Sequence, residues 1–185
     1  MWDFLEDILV MIIFETERMI IRQVTESDKI SMLKFHNEPA TMKFISDGKS
    51  VWTQDELNVK LNQNEKLYPS GFGIYCIINK KTKEVMGEAS VFNSFDNFKH
   101  PEIGYIISER FWNQGYGTEV VNGLIHFCKD RLNSERIIAR MYSENKFSIR
   151  ICHNVGMKLI ENKELEDGRV RLCFEETYNF TRNSY

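Results

Sequence analysis

A glycine-containing loop that follows an apolar strand is the segment of this chain best suited to bind an anion. It lies at the end of the stretch 102–117, where Gly115 and Gly117 would let the backbone approach a ligand closely. An amphipathic helix is expected to begin at Thr118, with its unpaired N–H groups and the positive end of its dipole facing the loop. The segment therefore predicts a phosphate site formed by backbone amides.

The glycine spacing excludes two common nucleotide sites. The dinucleotide motif requires GxGxxG and the P-loop requires GxxxxGK[ST], whereas here no third glycine completes the first pattern and no lysine follows Gly117. A glycine turn before a helix is also common where nothing binds. The surrounding sequence is therefore needed to identify the ligand.

Composition limits the class of partner. The 185 residues include 24 basic and 27 acidic side chains, and the net charge of −3 provides no basic field that would attract nucleic acid or an anionic membrane. The apolar run Ile8–Phe14 is too short to cross a bilayer, and its acidic flank does not fit a secretory signal. We expect one cytoplasmic domain, a monomer or homodimer, with a small or weakly charged partner.

The cysteines and histidines form neither a disulfide framework nor a metal motif. The cysteines lie in apolar runs without a CxxC pair, which indicates reduced, buried thiols, and the histidines lack the spacing of metal ligands. These residues are Cys76, Cys128, Cys152, Cys173, His36, His100, His126 and His153. We therefore expect no metal.

The hydrophobic period alternates along the chain between helix and strand values, which predicts an α+β domain with one mixed, mostly antiparallel sheet flanked by helices. The predicted strands are Arg18–Val24, Phe72–Asn79, Glu84–Phe95, Pro101–Arg110, Arg136–Tyr142 and a closing pair within Met157–Phe180. The predicted helices are Ser27–Asn37, one beginning after Thr53, one beginning at Thr118, and Lys146–Asn154.

Two helix predictions carry specific side-chain expectations. In the first helix, Ile30 and Leu33 are expected to face inward, and Pro39 to stop the helix. At the second helix, Thr53 and Glu56 have the spacing of a capping box.

The loop and the strand before it resemble those of the GNAT superfamily of acyl-CoA-dependent N-acetyltransferases. WNQGYG at Trp112–Gly117 is similar to the superfamily's [QR]xxGx[GA] pyrophosphate loop, although Trp112 replaces the usual glutamine or arginine. The RimJ/RimL-type branch, which acetylates N-terminal amines of ribosomal proteins, shares this departure and often carries EIGY before YWxxGY[GA]TE. EIGY at Glu102–Tyr105 and FWNQGYGTE at Phe111–Glu119 resemble that pair.

The resemblance extends in both directions. ETERMIIR at Glu15–Arg22 resembles the branch's first strand, often written ETERLxLR, and favours Met11 as the natural beginning. Downstream, the segment Asn145–Met157 is similar to NxxSxxVxxKxGF, with Met157 in place of the phenylalanine.

This resemblance implies a GNAT-type single domain with a twisted sheet over residues 14–180. Residues 1–13 would form an N-terminal extension and residues 181–185 a tail. The stretch Trp2–Val10 is either an amphipathic docking helix or an extension upstream of the natural start.

The resemblance implies acetyl-CoA as cosubstrate and a primary amine as acceptor. Backbone groups of Ile106 and Ile107 would pair with the pantetheine arm if this strand diverges from its neighbour. The side chain of Asn145 would hold the same arm or cap the following helix. Loop amides would hold the diphosphate, and the loop residues are Trp112, Asn113, Gln114, Gly115, Tyr116, Gly117 and Thr118.

The resemblance also supplies candidates for proton transfer. Ser148 matches the position thought to give a hydroxyl to the leaving thiolate, its alternative being a helix serine that bonds its own backbone. Many GNAT enzymes place a tyrosine four residues later, where this chain has Cys152. Glu102 is the preferred general base, through a water, although it could instead bond loop amides or an arginine. Glu88 is the reserve, and an amine that arrives neutral needs no base.

No motif in the sequence identifies the acceptor amine. The segments Thr41–Pro69 and Lys163–Arg171, expected on the acceptor side, are uninformative, and Thr41–Trp52 looks irregular. A protein N-terminal amine leads by resemblance, and a small amine such as an antibiotic or polyamine is the alternative. A non-catalytic acyl-CoA-binding module is a further alternative, because Cys152 and Met157 depart from the family pattern.

Overall fold

The computed structural model describes residues 10–45, 51–93 and 100–178. Its strands are β1 (Ile12–Glu15), β2 (Met19–Gln23), β3 (Gly73–Asn79), β4 (Val85–Asn93), β5 (Pro101–Ile107), β6 (Arg136–Tyr142), β7 (Lys158–Glu164) and β8 (Val170–Thr177). Its α-helices are α1 (Lys29–His36), α2 (Pro39–Met42), α3 (Gln54–Glu65), α4 (Tyr116–Asp130) and α5 (Lys146–Asn154).

The strands form one mixed sheet in the order β1-β2-β3-β4-β5-β6-β8-β7. All neighbours are antiparallel except β5 and β6, which run parallel. Parallel strands need a long connection, and α4 supplies it between β5 and β6. The sheet with its flanking helices confirms the predicted α+β architecture and the antiparallel succession of β3, β4 and β5.

Helices cover the two faces of the sheet separately. On one face, α4 buries Val120 and Leu124 in the larger apolar cluster, to which α5 contributes Cys152. On the other face, Met32 of α1 and Leu57 of α3 belong to a smaller cluster. The apolar stripe of α4 thus packs on the sheet as its sequence period predicted.

The inward face predicted for the first helix is partly wrong. Ile30 is 78% exposed, whereas Met32, Phe35 and His36 are buried. The cause is local: residues 26–28 form a 3-10 turn, so the α-helix begins later than predicted and presents a different set of i, i+3 and i+4 positions.

Other differences lie at element ends. Strand β1 was not predicted. Pro39 follows the end of α1, as expected, but it also begins the short helix α2. Helix α4 begins at Tyr116, two residues before the predicted start. The capping box at Thr53 and Glu56 is confirmed. The stretch Trp2–Val10, expected to be either a docking helix or an upstream extension, lies outside the described residues except for Val10.

Candidate active site

Strands β5 and β6 diverge, and the gap between them opens one edge of β5. Strand β5 pairs with β4 over its whole length, from Pro101 to Ile107. Its pairing with β6 is limited, within the described residues, to Glu102 opposite Ile138. This divergence of β5 from β6 is the condition under which the backbone of Ile106 and Ile107 was expected to pair with a pantetheine arm.

Trp112 connects the end of β5 to the loop. Its indole Nε1 donates a hydrogen bond to the Ile107 carbonyl oxygen at 2.7 Å, and its ring centroid lies 6.2 Å from that of Phe147 at the start of α5. One of the two backbone positions expected to pair with the pantetheine arm therefore already has its carbonyl engaged.

The loop is held in a conformation with left-handed residues and is tied to the start of β2. Asn113 and Gly115 have φ of 57° and 83°, a region that glycine and asparagine adopt at least cost. Arg18 Nη1 donates to the Gln114 carbonyl at 2.8 Å, and Arg18 Nε donates to Glu119 Oε2 at 2.6 Å. Arg18 thus fixes both the loop and the first turn of α4.

The N-terminus of α4 presents backbone amides to a cavity. The helix has Gly115 at its N-cap, and its Glu119 N–H bonds the Gly115 carbonyl at 3.1 Å. The N–H groups of Tyr116, Gly117 and Thr118 precede this bond and have no acceptor within the helix. All three residues line the cavity, so the helix end is placed to hold an anion there.

The cavity measures about 290 Å³ and lies between the open edge of β5, the loop and the start of α5. It is lined by most of the predicted residues, namely Ile106, Ile107, Trp112, Asn113, Gly115, Tyr116, Gly117, Thr118, Asn145 and Ser148. Two predicted residues, Glu102 and Gln114, are not in its lining. A narrow apolar cavity that ends at helix amides fits an acyl-CoA arm with its diphosphate.

Further residues line the cavity that the sequence did not identify individually, although the segment Thr41–Pro69 was expected on the acceptor side. Thr41, Phe44 and Ile45 form a wall contributed by α2 and the residues after it, and Arg150 lines the cavity from α5. The sequence around Thr41 contains no family motif, and only the fold brings this segment opposite the loop. Tyr105, also in the lining, belongs to the EIGY motif, which was the available signal for it.

Asn145 and Ser148 sit at the start of α5. Asn145 Oδ1 accepts a hydrogen bond from the Ser148 N–H at 3.1 Å, so its side chain caps the helix. The Ser148 hydroxyl lies 3.0 Å from the Tyr105 hydroxyl rather than bonding its own backbone. Burial raises the pKa of Tyr105 to about 12, so the phenol stays protonated at neutral pH.

Glu102 lies on β5 outside the cavity lining and forms an ion pair. Its Oε2 accepts a hydrogen bond from Arg140 Nη2 at 2.8 Å, and the Arg140 side chain is 6% exposed. Glu102 therefore bonds an arginine, which is the structural alternative to its expected role as general base.

Glu88, the reserve base, is buried within a charge cluster. Its carboxylate oxygens lie 2.8 Å from Lys60 Nζ and 2.9 Å from His36 Nε2. Burial raises the pKa of Glu88, but the Lys60 charge and the His36 hydrogen bond outweigh it and bring the pKa to about 2. The carboxylate is ionised, and its pairing makes it a weak base.

Cys152, four residues after Ser148, is buried. Burial raises its thiol pKa to about 12, so the group is neutral at physiological pH.

Among the described residues, no three side chains of the types His, Cys, Asp and Glu are close enough to hold a metal ion. None of the described helices has the length and apolar character that a membrane-spanning helix needs.

Comparisons with known proteins place this geometry in a family. Residues 18–158 match the model of the acetyltransferase (GNAT) domain. The chain is 28% identical over 150 residues to the uncharacterized N-acetyltransferase YoaA of Bacillus subtilis, covering 79% of this chain and 82% of YoaA. It is also similar to an uncharacterized N-acetyltransferase of Bacillus licheniformis, p20, with 26% identity over 159 residues, 84% of this chain and 89% of p20.

Solved structures share the fold at low sequence identity. RimL, a ribosomal L7/L12 alpha-N-protein acetyltransferase crystallised with coenzyme A, superposes with a TM-score of 0.79 at 18% identity, covering 90% of this chain and 98% of RimL. A GNAT-family acetyltransferase from Bacillus anthracis gives a TM-score of 0.77 at 21% identity, covering 88% and 96%.

Proposed function

The chain belongs to the GNAT acetyltransferase family, and we propose that it transfers the acetyl group of acetyl-CoA directly to the N-terminal amine of a protein. The observation that carries this proposal is the cavity that runs from the helix amides of the loop along the open edge of β5 to Ser148. It has a polar end for a diphosphate and an apolar course for the pantetheine arm.

In the proposed reaction the amine nitrogen attacks the thioester carbonyl. The C–N bond forms, the C–S bond breaks, and the sulfur leaves as a thiolate that receives a hydrogen bond from Ser148. The acceptor amine loses a proton and the thiolate gains one, so the products are an N-acetylated amine and CoA. For Glu102 we propose the ion-pair role, in which case the amine enters neutral or loses its proton to water.

The choice of a protein N-terminus rests on the resemblance to RimL-type sequences. The wall of the cavity opposite the loop is formed by Thr41 of the short helix α2 and by Phe44 and Ile45, which follow it. A small amine such as a polyamine is the second candidate, favoured by the aromatic lining that Phe44, Phe111 and Phe147 provide.

A thiol-release assay with acetyl-CoA tests the proposal. The acceptor panel contains peptides with free N-termini, the same peptides with blocked N-termini, polyamines and aminoglycosides. Release of CoA with the free peptides, and none with the blocked ones, is the expected result. Preferential release with a small amine would favour the alternative, and binding of acetyl-CoA without release for any acceptor would favour a non-catalytic module.

A further inference from the structure

A hydroxyl pair crosses the cavity wall where β5, α4 and α5 meet. Tyr105 comes from β5 and Ser148 from the first turn of α5, and their oxygen atoms are 3.0 Å apart. Both residues line the cavity. A methyl group added at Gly117, in the first turn of α4, would lie 3.8 Å from the Tyr105 hydroxyl oxygen. The pair therefore lies directly beside the helix end expected to hold the diphosphate.

The two hydroxyls have unequal roles in this bond. A phenol is a stronger acid than an aliphatic alcohol, so the more favourable arrangement has the Tyr105 O–H donating to Ser148 Oγ. The Ser148 N–H is meanwhile engaged by Asn145 Oδ1, which fixes the position of the Ser148 main chain. With its oxygen accepting from Tyr105, the Ser148 O–H is left to point into the cavity.

We propose that Tyr105 is a positioning residue that orients the Ser148 hydroxyl towards the sulfur of CoA. This inference rests on the proposed function and deepens it, since it names the group that prepares Ser148 as a hydrogen-bond donor. Neither hydroxyl is consumed: when the C–S bond breaks, the sulfur takes the electron pair and accepts the Ser148 hydrogen bond. The proton that finally neutralises the thiolate is the one lost by the acceptor amine.

The bound CoA thiol itself provides a test that needs no acceptor. A hydrogen bond donated to a thiolate lowers the pKa of the thiol, and the thiolate absorbs in the ultraviolet. Titrating CoA bound to the wild-type protein, we expect a thiol pKa below that in Tyr105→Phe and in Ser148→Ala, with differences of about one unit. The double variant should match Ser148→Ala alone, because Tyr105 acts through Ser148.

Tyr75→Phe is the matched control. It removes a buried tyrosine hydroxyl of the same sheet that donates to the Phe72 carbonyl at 3.1 Å and does not line the cavity. This variant is expected to leave the thiol pKa unchanged. An unchanged thiol pKa in Tyr105→Phe, with a raised one in Ser148→Ala, would overturn the inference, and so would additive effects in the double variant.

Kinetics separate this inference from the proposed function. If wild-type protein turns over an amine, Tyr105→Phe should lower kcat about tenfold while the KM for acetyl-CoA stays unchanged, since the lost interaction is made to the leaving sulfur. If no amine is turned over but the thiol pKa still depends on Tyr105, the proposed function fails and the positioning role stands. If a protein N-terminal amine is turned over and neither kcat nor the thiol pKa depends on Tyr105, the proposed function stands and the positioning role fails.

Discussion

The pair of Glu102 and Arg140 shows how burial constrains a charged side chain in the sheet. The Arg140 side chain is 6% exposed and the Glu102 side chain 16%, and their atoms meet at 2.8 Å. Removal of the carboxylate takes a charged hydrogen-bond acceptor away from a buried guanidinium, which costs more than an exposed pair contributes. The structure therefore supports an architectural role for Glu102 next to the point where β5 and β6 part.

Replacing Glu102 by glutamine tests that role. We expect Glu102→Gln to lower the free energy of unfolding by about 2 kcal/mol. The glutamine amide fills the same space but carries no negative charge to interact with Arg140. Turnover per folded molecule should change little at any pH. Urea unfolding and a pH–rate profile measure the two effects.

The control for this variant is Glu175→Gln, since Glu175 pairs with Arg136, whose side chain is 31% exposed. It should lose less stability than Glu102→Gln. A stable Glu102→Gln protein whose turnover falls at neutral pH and recovers at high pH would instead identify Glu102 as the general base.

Single residues of the site were predictable where a motif fixes local backbone, and unpredictable where two distant elements meet. The cap at Asn145 depends on its spacing to Ser148 and could be read from sequence. The bond between Tyr105 and Ser148 joins residues 43 positions apart, and the ring centroid of Trp112 lies 6.2 Å from that of Phe147 in α5. Such contacts depend on how β5, the loop and α5 are packed.

At the scale of elements, the close approach of β4 and β5 positions the strand that lines the cavity. Gly87 of β4 lies so close to β5 that an added Cβ would be 1.9 Å from the Ile106 carbonyl oxygen. Because the obstacle is backbone, a side chain here would push the two strands apart. Ile106 and Ile107 would move with β5, and with them the cavity wall.

Gly87→Ala is expected to lower the free energy of unfolding by about 2 kcal/mol. The free energy of CoA binding should be weakened by at least the same amount. Unfolding in urea and calorimetric titration with CoA measure these effects. Gly104→Ala is the matched control on β5, because its added Cβ would meet a flexible side-chain atom, Ser90 Oγ, at 2.8 Å. Unchanged CoA affinity in Gly87→Ala would show that the spacing of the strands does not set the cavity.

The cluster of Glu88, His36 and Lys60 joins α1 and α3 to β4. Because the pKa of Glu88 in the folded protein is about 2, below the ordinary 4.5, the carboxylate contributes stability at neutral pH. This contribution is complete above about pH 4.5 and is lost as the pH falls towards 2, since the unfolded chain takes up the proton first. Acid should therefore loosen both helices from the sheet.

Glu88→Gln tests this pH dependence. We expect the variant to be less stable than wild type by about 3 kcal/mol at pH 7, with the difference shrinking as the pH falls below 4.5. Urea unfolding at a series of pH values provides the measurement. Glu84→Gln, at an exposed pair with Arg110, is expected to change stability far less. A difference that stayed constant down to about pH 2.5 would contradict the assignment.

Elements with strong periodicity or a cap were predictable, and those set by long-range contacts were not. Strand β6 and helix α5 have the predicted bounds, and α3 begins at its capping box. Helix α1 begins later than predicted because residues 26–28 form a 3-10 turn, in which Asp28 accepts two hydrogen bonds from Arg22 of β2, at 2.7 and 2.8 Å. Strand β1, four residues long, owes its existence to pairing with β2.

At the scale of the whole molecule, β5 joins the two apolar clusters. Ile103 and Ile107 belong to the cluster under α4 and α5, and Ile106 belongs to the cluster under α1 and α3. A ligand that lies along β5 therefore contacts a strand on which both halves of the core depend. This arrangement predicts that donor binding stabilises the described domain as one unit.

The prediction is measured by thermal unfolding with and without CoA. At a free CoA concentration of about 100 times Kd, binding to the folded state contributes about 2.7 kcal/mol, which raises Tm by about 5–10 °C for a domain of this size. Far-ultraviolet circular dichroism and tryptophan fluorescence should give the same shifted midpoint, because Trp112 lies at the cavity and Trp52 beside the smaller cluster. ADP, which keeps the diphosphate but lacks the pantetheine arm, is the control and should shift Tm much less. If a second transition appeared whose midpoint CoA did not move, the clusters would unfold independently, and β5 would not couple them.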